Sequence, residues 1–529
     1  MKNITESKLI IIVAVFLVAF GNITFFEHIL DVYPLNIENG LFLSSLVISS
    51  ICVNIILLSL VCNKYTIKPI LITILLISSL SAYFMDTYNV IIDYVMMDNV
   101  VKTDLHETLD LISIKQFLYL LFMGILPSIL IYKTNLVYSS LKKSILSRIK
   151  LGFLCFVVLI SVIVIFSNFY ASFFREHKPL RYYSNPSYYL YSTGKYLGSF
   201  FKSESMPLKA IGLDAEIPFS DEHRELIVFV VGETARADHF SLNGYSKKTN
   251  PYLEKEDVVS FKNVWSCGTS TAVSVPCLFS IYNRSSYSQS KAKTTENVLD
   301  ILQRVGVNVI WLDNNSDSKG VADRVPYESY KTSDKNKVCD IECRDEGMLV
   351  NLQTYIDEHP RGDIFIILHQ MGNHGPAYYK RYPLQFKQFT PTCETNQLEQ
   401  CSTEEISNSY DNALLYTDYF LSQTIALLKK NDDEFEAALF YVSDHGESLG
   451  EHKLYLHGFP YMIAPSSQRH IPLIMWFSES FDEDEINLES LESKVNNKLS
   501  HDNIFHTILG LLEVETDVYN KDMDIVSGN

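Results

Sequence analysis

Asp444 and His445 stand side by side in Ser443-Asp-His-Gly-Glu447, and that pair offers a hard oxygen next to an imidazole nitrogen. Such a pair suits zinc. Glu233, in Gly232-Glu-Thr-Ala-Arg236, adds a second carboxylate. His374, in Gly372-Asn-His-Gly-Pro376, and His457, in Leu456-His-Gly458, add imidazoles in loop-like stretches. A single Glu after an apolar run is usually a solvated loop residue or a helix cap. Five such groups together point to a metal site. Group transfer also needs a nucleophile, because a metal alone only polarises a phosphoryl oxygen. Thr269, Ser270 and Thr271 lie between Cys267 and Cys277, just ahead of a predicted helix. Amide groups and the dipole at a helix N-terminus favour phosphate there. The ordinary role of such a hydroxyl is an N-cap, and spacing does not choose among the three.

The elements that would position these groups read as α/β. Leu226–Val231, Val307–Leu312, Ile364–Leu368, Ala438–Val442 and Ile471–Phe477 are continuous apolar runs of strand length. Such runs are expected of strands buried on both faces of a parallel sheet. Helical stretches, including Glu296–Val305 and Asn408–Lys429, separate several of them. Ligands gather at the carboxyl ends of strands in folds of this kind. Glu233 follows the first run, His369 and His374 the third, and Asp444 with His445 the fourth.

Before this α/β half come five apolar runs: Leu9–Phe26, Leu41–Val61, Pro69–Met85, Phe117–Tyr132 and Leu151–Ala171. Each is about as long as a bilayer core requires, although the third and fourth are short. The first is longer than a signal-peptide core and no clear cleavage site follows it, so it reads as an uncleaved span. Lys2 and Lys8, Lys64 and Lys68, and the cluster Lys133, Lys142, Lys143, Arg148 and Lys150 mark alternate loops. Loop 27–40 has no Lys or Arg, and loop 86–116 has two against six acids. The positive-inside rule therefore predicts a cytoplasmic N-terminus and an external C-terminal half.

Charge and cysteines divide at the same place. Of 529 residues, the first 215 hold 17 Lys and Arg against 13 Asp and Glu; the remainder carries a net −22. An acidic half of this kind argues against nucleic acid as a partner. Cys52, Cys62 and Cys155 lie in or beside apolar runs, whereas Cys267/Cys277, Cys339/Cys343 and Cys393/Cys401 form local pairs. Nearest-neighbour disulfides in an oxidising compartment are preferred over a cysteine zinc site, for which only Cys339/Cys343 has suitable spacing. Three parts result: a membrane domain over 1–172, an aromatic-rich bridging segment over 173–215 lying along the membrane surface, and a catalytic domain over 216–529.

These motifs resemble the bacterial phosphoethanolamine transferases of the alkaline-phosphatase superfamily, the group that includes mobile colistin-resistance enzymes. The resemblance spans essentially the whole chain. It rests on residues 230–236, 267–272, 313–320, 372–376 and 443–451. It implies a five-helix membrane domain joined to a periplasmic α/β domain of alkaline-phosphatase/sulfatase-like fold.

 It implies a monomer. It assigns the nucleophile to Thr271 and zinc to Glu233, Thr271, Asp444 and His445, with one ion bound tightly. His374 and His457 would contact the phosphoryl group or a second zinc during turnover. Ser316 and Lys319 match substrate-site residues, and Asn99, Thr103 and Glu107 match a phosphoethanolamine pocket. Those three are spaced i, i+4, i+8, one polar stripe if the stretch is helical. The implied reaction moves phosphoethanolamine from phosphatidylethanolamine to a lipid A phosphate through a phosphoethanolamine–threonine intermediate, at the bacterial inner membrane, with polymyxin or colistin resistance as its consequence. Transfer to a core sugar or a protein, hydrolysis by a periplasmic sulfatase or phosphodiesterase, and a membrane sensor with a structural metal are the alternatives.

Overall fold

The computed structural model describes residues 4–102, 105–138, 140–203, 207–218, 223–481 and 486–527. Two compact units make up the chain: Met1–Met97 with Ile112–Leu197, and Asp98–Leu111 with Gly198–Asn529. The bridging segment read over 173–215 is divided between them at Leu197.

Helices build the first unit, and two more lie in the loop that leaves it. In chain order they are α1 (Glu6–Phe20), α2 (Ile23–Val32), α3 (Ile37–Val61), α4 (Ile67–Tyr88), α5 (Tyr94–Lys102), α6 (Leu105–Leu111), α7 (Ile114–Lys133), α8 (Leu141–Ile165), α9 (Ser167–Arg175) and α10 (Ser187–Ser203). Among the described residues, α3, α4, α7 and α8 are long and apolar enough to cross a membrane; α1 with α2 makes a fifth if that bent pair is one span.

The first span was expected to be one helix over Leu9–Phe26. Instead the chain bends by 58° between α1 and α2. The cause is polar. Asn22 Nδ2 donates to Leu17 O (2.9 Å) and Asn185 O (2.7 Å), while Asn185 Nδ2 donates to Gly21 O (3.0 Å). Leu17 O still accepts from Gly21 N, and the Asn185 amide supplies the donor to Gly21 O where the helix breaks, as an apolar setting demands. In α7 a π-helical turn at Leu120–Ile125 precedes Pro127, whose ring supplies no amide donor.

An eight-stranded sheet organises the second unit. Its strands are β1 (Glu225–Gly232), β2 (Val259–Trp265), β3 (Asn308–Asp313), β4 (Tyr327–Ser329), β5 (Ile364–His369), β6 (Glu436–Ser443), β7 (His470–Phe477) and β8 (Leu499–Ser500), in the spatial order β8-β2-β7-β6-β1-β5-β3-β4. All neighbouring pairs are parallel except those made by β7, which runs antiparallel to β6 and β2. The apolar run 471–477 could not reveal this, since burial on both faces is the same for either direction. The connection from β6 to β7 is long enough for either direction, and its path returns the chain antiparallel to β6. Strand β2 escaped the apolar-run criterion because its residues alternate between buried and partly exposed.

The helices that cover the sheet include α11 (Thr271–Leu278), α12 (Val298–Val305), α13 (Thr403–Leu428) and α14 (Ile504–Leu511). Ile227, Phe229 and Val231 of β1 join the core under α11, α12 and α14. Leu226, Val228 and Val230 point the other way, to the core beneath α13. Capping boxes at Asn297 and Ser402 start α12 and α13. The nearest-neighbour cysteine pairs are bonded: Cys267–Cys277, Cys339–Cys343 and Cys393–Cys401.

Phe229 sits where three aromatic contacts converge, stacked on Phe440 at 5.0 Å and edge-on to Phe279 at 5.4 Å. Phe229→Ala is expected to lower stability by about 3–5 kcal/mol, read as a fall in the thermal midpoint of the purified chain in detergent. A change of less than about 1 kcal/mol would contradict this packing.

Candidate metal and nucleophile site

Neighbouring strands bring the first two carboxylates together. Gly232 pairs with Ser443 across β1 and β6, so the next residues, Glu233 and Asp444, leave the sheet side by side. Asp444 N donates to Gly232 O (2.9 Å) and Thr234 N donates to Asp444 Oδ1 (3.1 Å). Ligand atoms of Glu233, Asp444 and His445 lie within 4.8 Å of one another, and all three residues are buried.

The tautomer of His445 follows from its partner. Nδ1 lies 2.9 Å from Gly446 O, a pure acceptor, so Nδ1 carries the hydrogen and Nε2 presents a lone pair. That lone pair faces Asp444 Oδ2 at 3.2 Å and Glu233 Oε1 at 3.6 Å. Burial pushes the Asp444 carboxyl up and the His445 imidazole down, so the cluster lacks a cation of its own. Among the described residues, Asp444 Oδ2 has no hydrogen-bond partner. Two carboxylates, one of them with an orphaned buried oxygen, and a neutral imidazole form a donor set that fits a divalent metal.

Three hydroxyls precede α11, and their surroundings differ. Thr269 donates to Phe459 O at 2.6 Å. Ser270 is the N-cap residue, yet its hydroxyl is buried and makes no cap bond. Thr271, the first helical residue, donates to Glu233 Oε2 at 3.2 Å and lies 3.4 Å from His445 Nε2. Only the last of the three meets the triad in this way.

His457 and His374 extend the cluster. The His457 ring lies 4.3 Å from that of His445 and 5.7 Å from that of His374. His457 Nδ1 lies 3.3 Å from Glu447 Oε2. His369 turns elsewhere, with Nδ1 3.0 Å from Asp313 Oδ2. Lys319 Nζ donates to Ser316 Oγ at 2.6 Å, and Lys319 holds φ at 52°, left-handed for a non-glycine residue. Ala272, beside Thr271, shares the lining of a cavity of about 420 Å³ with Lys319, Gln289 and Lys293. Asn99 is half-buried on α5, which ends at Lys102. Thr103 and the side chain of Glu107 lie outside the described residues.

Several supporting residues have no role assigned from the sequence, although Arg236 and Asn315 lie within the motifs 230–236 and 313–320. Asn315 Nδ2 donates to Glu233 Oε2 and to Gln370 O, both at 2.7 Å. Arg236 reaches Glu447 O (3.2 Å) and Glu451 Oε1 (2.5 Å), tying the loop after β1 to the loop after β6. Fully buried Asp345 accepts from Asn314 Nδ2, Met371 N and Gly372 N, which fixes the turn leading to His374. Nothing local in the sequence marks these contacts, because each spans distant segments. In the 98–111 segment, Asp98 accepts from Gln289 (2.8 Å), and Asp110 pairs with Lys380 (2.5 Å) and Arg381 (2.6 Å).

An α/β unit with a metal-capable triad at its strand ends, in one chain with apolar spans, defines a membrane-associated protein of the sulfatase type. Residues 225–514 match the sulfatase family, and residues 50–199 match the phosphoethanolamine transferase EptA/EptB family. The chain belongs to the phosphoethanolamine transferase family. It is 42% identical to phosphatidylethanolamine transferase Mcr-1 of Escherichia coli, over 98% of this chain and 96% of that one. It is 39% identical to phosphoethanolamine transferase EptA of Escherichia coli K12, over 96% and 93%. The integral membrane lipooligosaccharide phosphoethanolamine transferase A of Neisseria meningitidis superposes with a TM-score of 0.95 at 34% identity, covering 99% of both chains.

Gly446 tests the tightness of the site. A Cβ there would lie 2.0 Å from Ser467 O, a backbone atom that cannot swing away. Gly446→Ala is therefore expected to destabilise the unit by about 1–3 kcal/mol and to weaken metal retention at least tenfold, measured by metal content after dialysis against a chelator. Retention equal to the parent would show that this backbone does not constrain His445.

Proposed function

We propose that this protein transfers phosphoethanolamine from phosphatidylethanolamine to a phosphate of lipid A, with Thr271 as the nucleophile. The convergence of the Thr271 hydroxyl with Glu233 and His445 carries this reading. Family membership supports the donor and the transferred group. Glu233, Asp444, His445 and Thr271 would hold zinc. When bound, zinc supplies positive charge that lowers the hydroxyl pKa and offsets charge on the phosphoryl oxygens.

The chain's own residues divide the remaining work. Glu233 Oε2 accepts the Thr271 hydrogen bond and aims the oxygen, and the hydroxyl proton leaves to solvent before attack. As the Thr271–phosphorus bond forms, the bond from phosphorus to the diacylglycerol oxygen breaks. His457, in its protonated form with Nδ1–H toward Glu447, hands its Nε2 proton to that departing oxygen and is left neutral. Lys319, beside Ser316, steadies phosphoryl oxygens. A lipid A phosphate then gives its proton to His457, its oxygen attacks the phosphoethanolamine–threonine intermediate, and the bond from phosphorus to Thr271 breaks to release the threonine oxygen as it began. Ethanolamine brings a positive charge to an anionic surface, which weakens attraction for cationic peptides such as polymyxin. Loop charges and three disulfides support a catalytic unit on the periplasmic side of the inner membrane.

Membranes incubated with phosphatidylethanolamine labelled in its headgroup should label Thr271. Lipid A from expressing cells should gain one phosphoethanolamine in mass. Thr271→Ala should abolish both, and chelation should abolish labelling until zinc is restored. Normal transfer by Thr271→Ala would refute the nucleophile; release of free phosphoethanolamine with no gain on lipid A would favour hydrolysis.

A further inference from the structure

His501 lies at the end of β8, in the turn that opens α14, far in sequence from every motif residue. It is 1% exposed. Cys267 N donates to its Nδ1 at 3.1 Å, and its Nε2 donates to Ser443 O at 3.0 Å. A backbone N–H can only donate and a carbonyl can only accept, so these partners require a neutral ring with hydrogen on Nε2. Burial pushes its pKa down to about 4, which keeps it neutral near pH 7.

Each partner belongs to one half of the candidate site. Cys267 opens the nucleophile turn and is bonded to Cys277 near the far end of α11, so the turn and helix move together. Ser443 ends β6, directly before Asp444; its Oγ also accepts from Ala235 N and donates to His445 O. One imidazole therefore links the element that carries Thr271 to the strand end that carries the metal-capable pair.

We propose that His501 is a positioning residue for phosphoryl transfer, pinning the Thr271 turn to the end of β6 so that the hydroxyl stays in register with Asp444 and His445. This rests on the reading of Thr271 as nucleophile. Reactive groups displaced by about 1 Å can lose about a hundredfold in rate, so the pin should act on rate more than on donor binding.

Three variants separate its two bonds. In H501N the amide oxygen can replace Nδ1, in H501Q the amide nitrogen can replace Nε2, and H501F replaces neither. The full-length chain in detergent is assayed for the rate of Thr271 labelling by headgroup-labelled phosphatidylethanolamine, the donor KM, zinc content and the thermal midpoint. H501F is expected to label about a hundredfold more slowly with zinc content and donor KM near those of the parent, and H501N and H501Q to fall between. If H501F does not fold, the two single-bond variants decide, each expected to lose about tenfold. Parent-like rates in folded variants overturn the inference, as does loss of zinc, which would assign His501 to metal retention. An unlabelled Thr271 in the parent would instead refute the nucleophile itself, a separate failure.

Discussion

Two carboxylates buried beside a neutral imidazole set the terms for the rest of the second unit. Ligand atoms of Glu233, Asp444 and His445 lie within 4.8 Å of one another. Like charges that close, removed from water, are costly unless a cation or protons compensate them. The sheet makes the arrangement rigid: β1 and β6 are central parallel neighbours, and their register leaves Glu233 and Asp444 abreast. Arg236 and Asn315 then lock the loops that carry them. A divalent cation held there would resolve the electrostatic conflict beside the Thr271 hydroxyl, which reaches Glu233 and His445. Stability and reactivity are here consequences of the same convergence.

Some of this was readable from the residues alone. Apolar runs marked β1, β3, β5, β6 and β7, and Glu233, Asp444 and His445 stood just past the ends of two of them. Paired cysteines likewise anticipated their partners. What stayed hidden was long-range. The choice of Thr271 over Thr269 and Ser270 depends on where Glu233 and Phe459 sit, 38 and 190 positions away. The direction of β7 depends on the path of the chain and not on composition. The bend between α1 and α2 depends on Asn185, 163 positions from Asn22.

His501 illustrates the same limit most sharply. A histidine in Leu499-Ser-His-Asp-Asn503 carries no local sign of a role. Its partners lie at Cys267 and Ser443, and only folding brings the two backbone groups to opposite nitrogens of one ring. Neutral imidazole is unusual among side chains in offering a donor and an acceptor in fixed, divergent directions. That geometry suits a rigid link between two loops better than a flexible amide would.

In the proposed site one metal ion would join the triad to the Thr271 hydroxyl. An anomalous-scattering map of zinc-loaded crystals, collected at the zinc edge, tests it most directly. The account predicts a peak about 2.0–2.2 Å from Thr271 Oγ1, from carboxylate oxygens of Glu233 and Asp444, and from His445 Nε2. A sole peak on other residues, with the Thr271 hydroxyl out of coordinating reach, would contradict it.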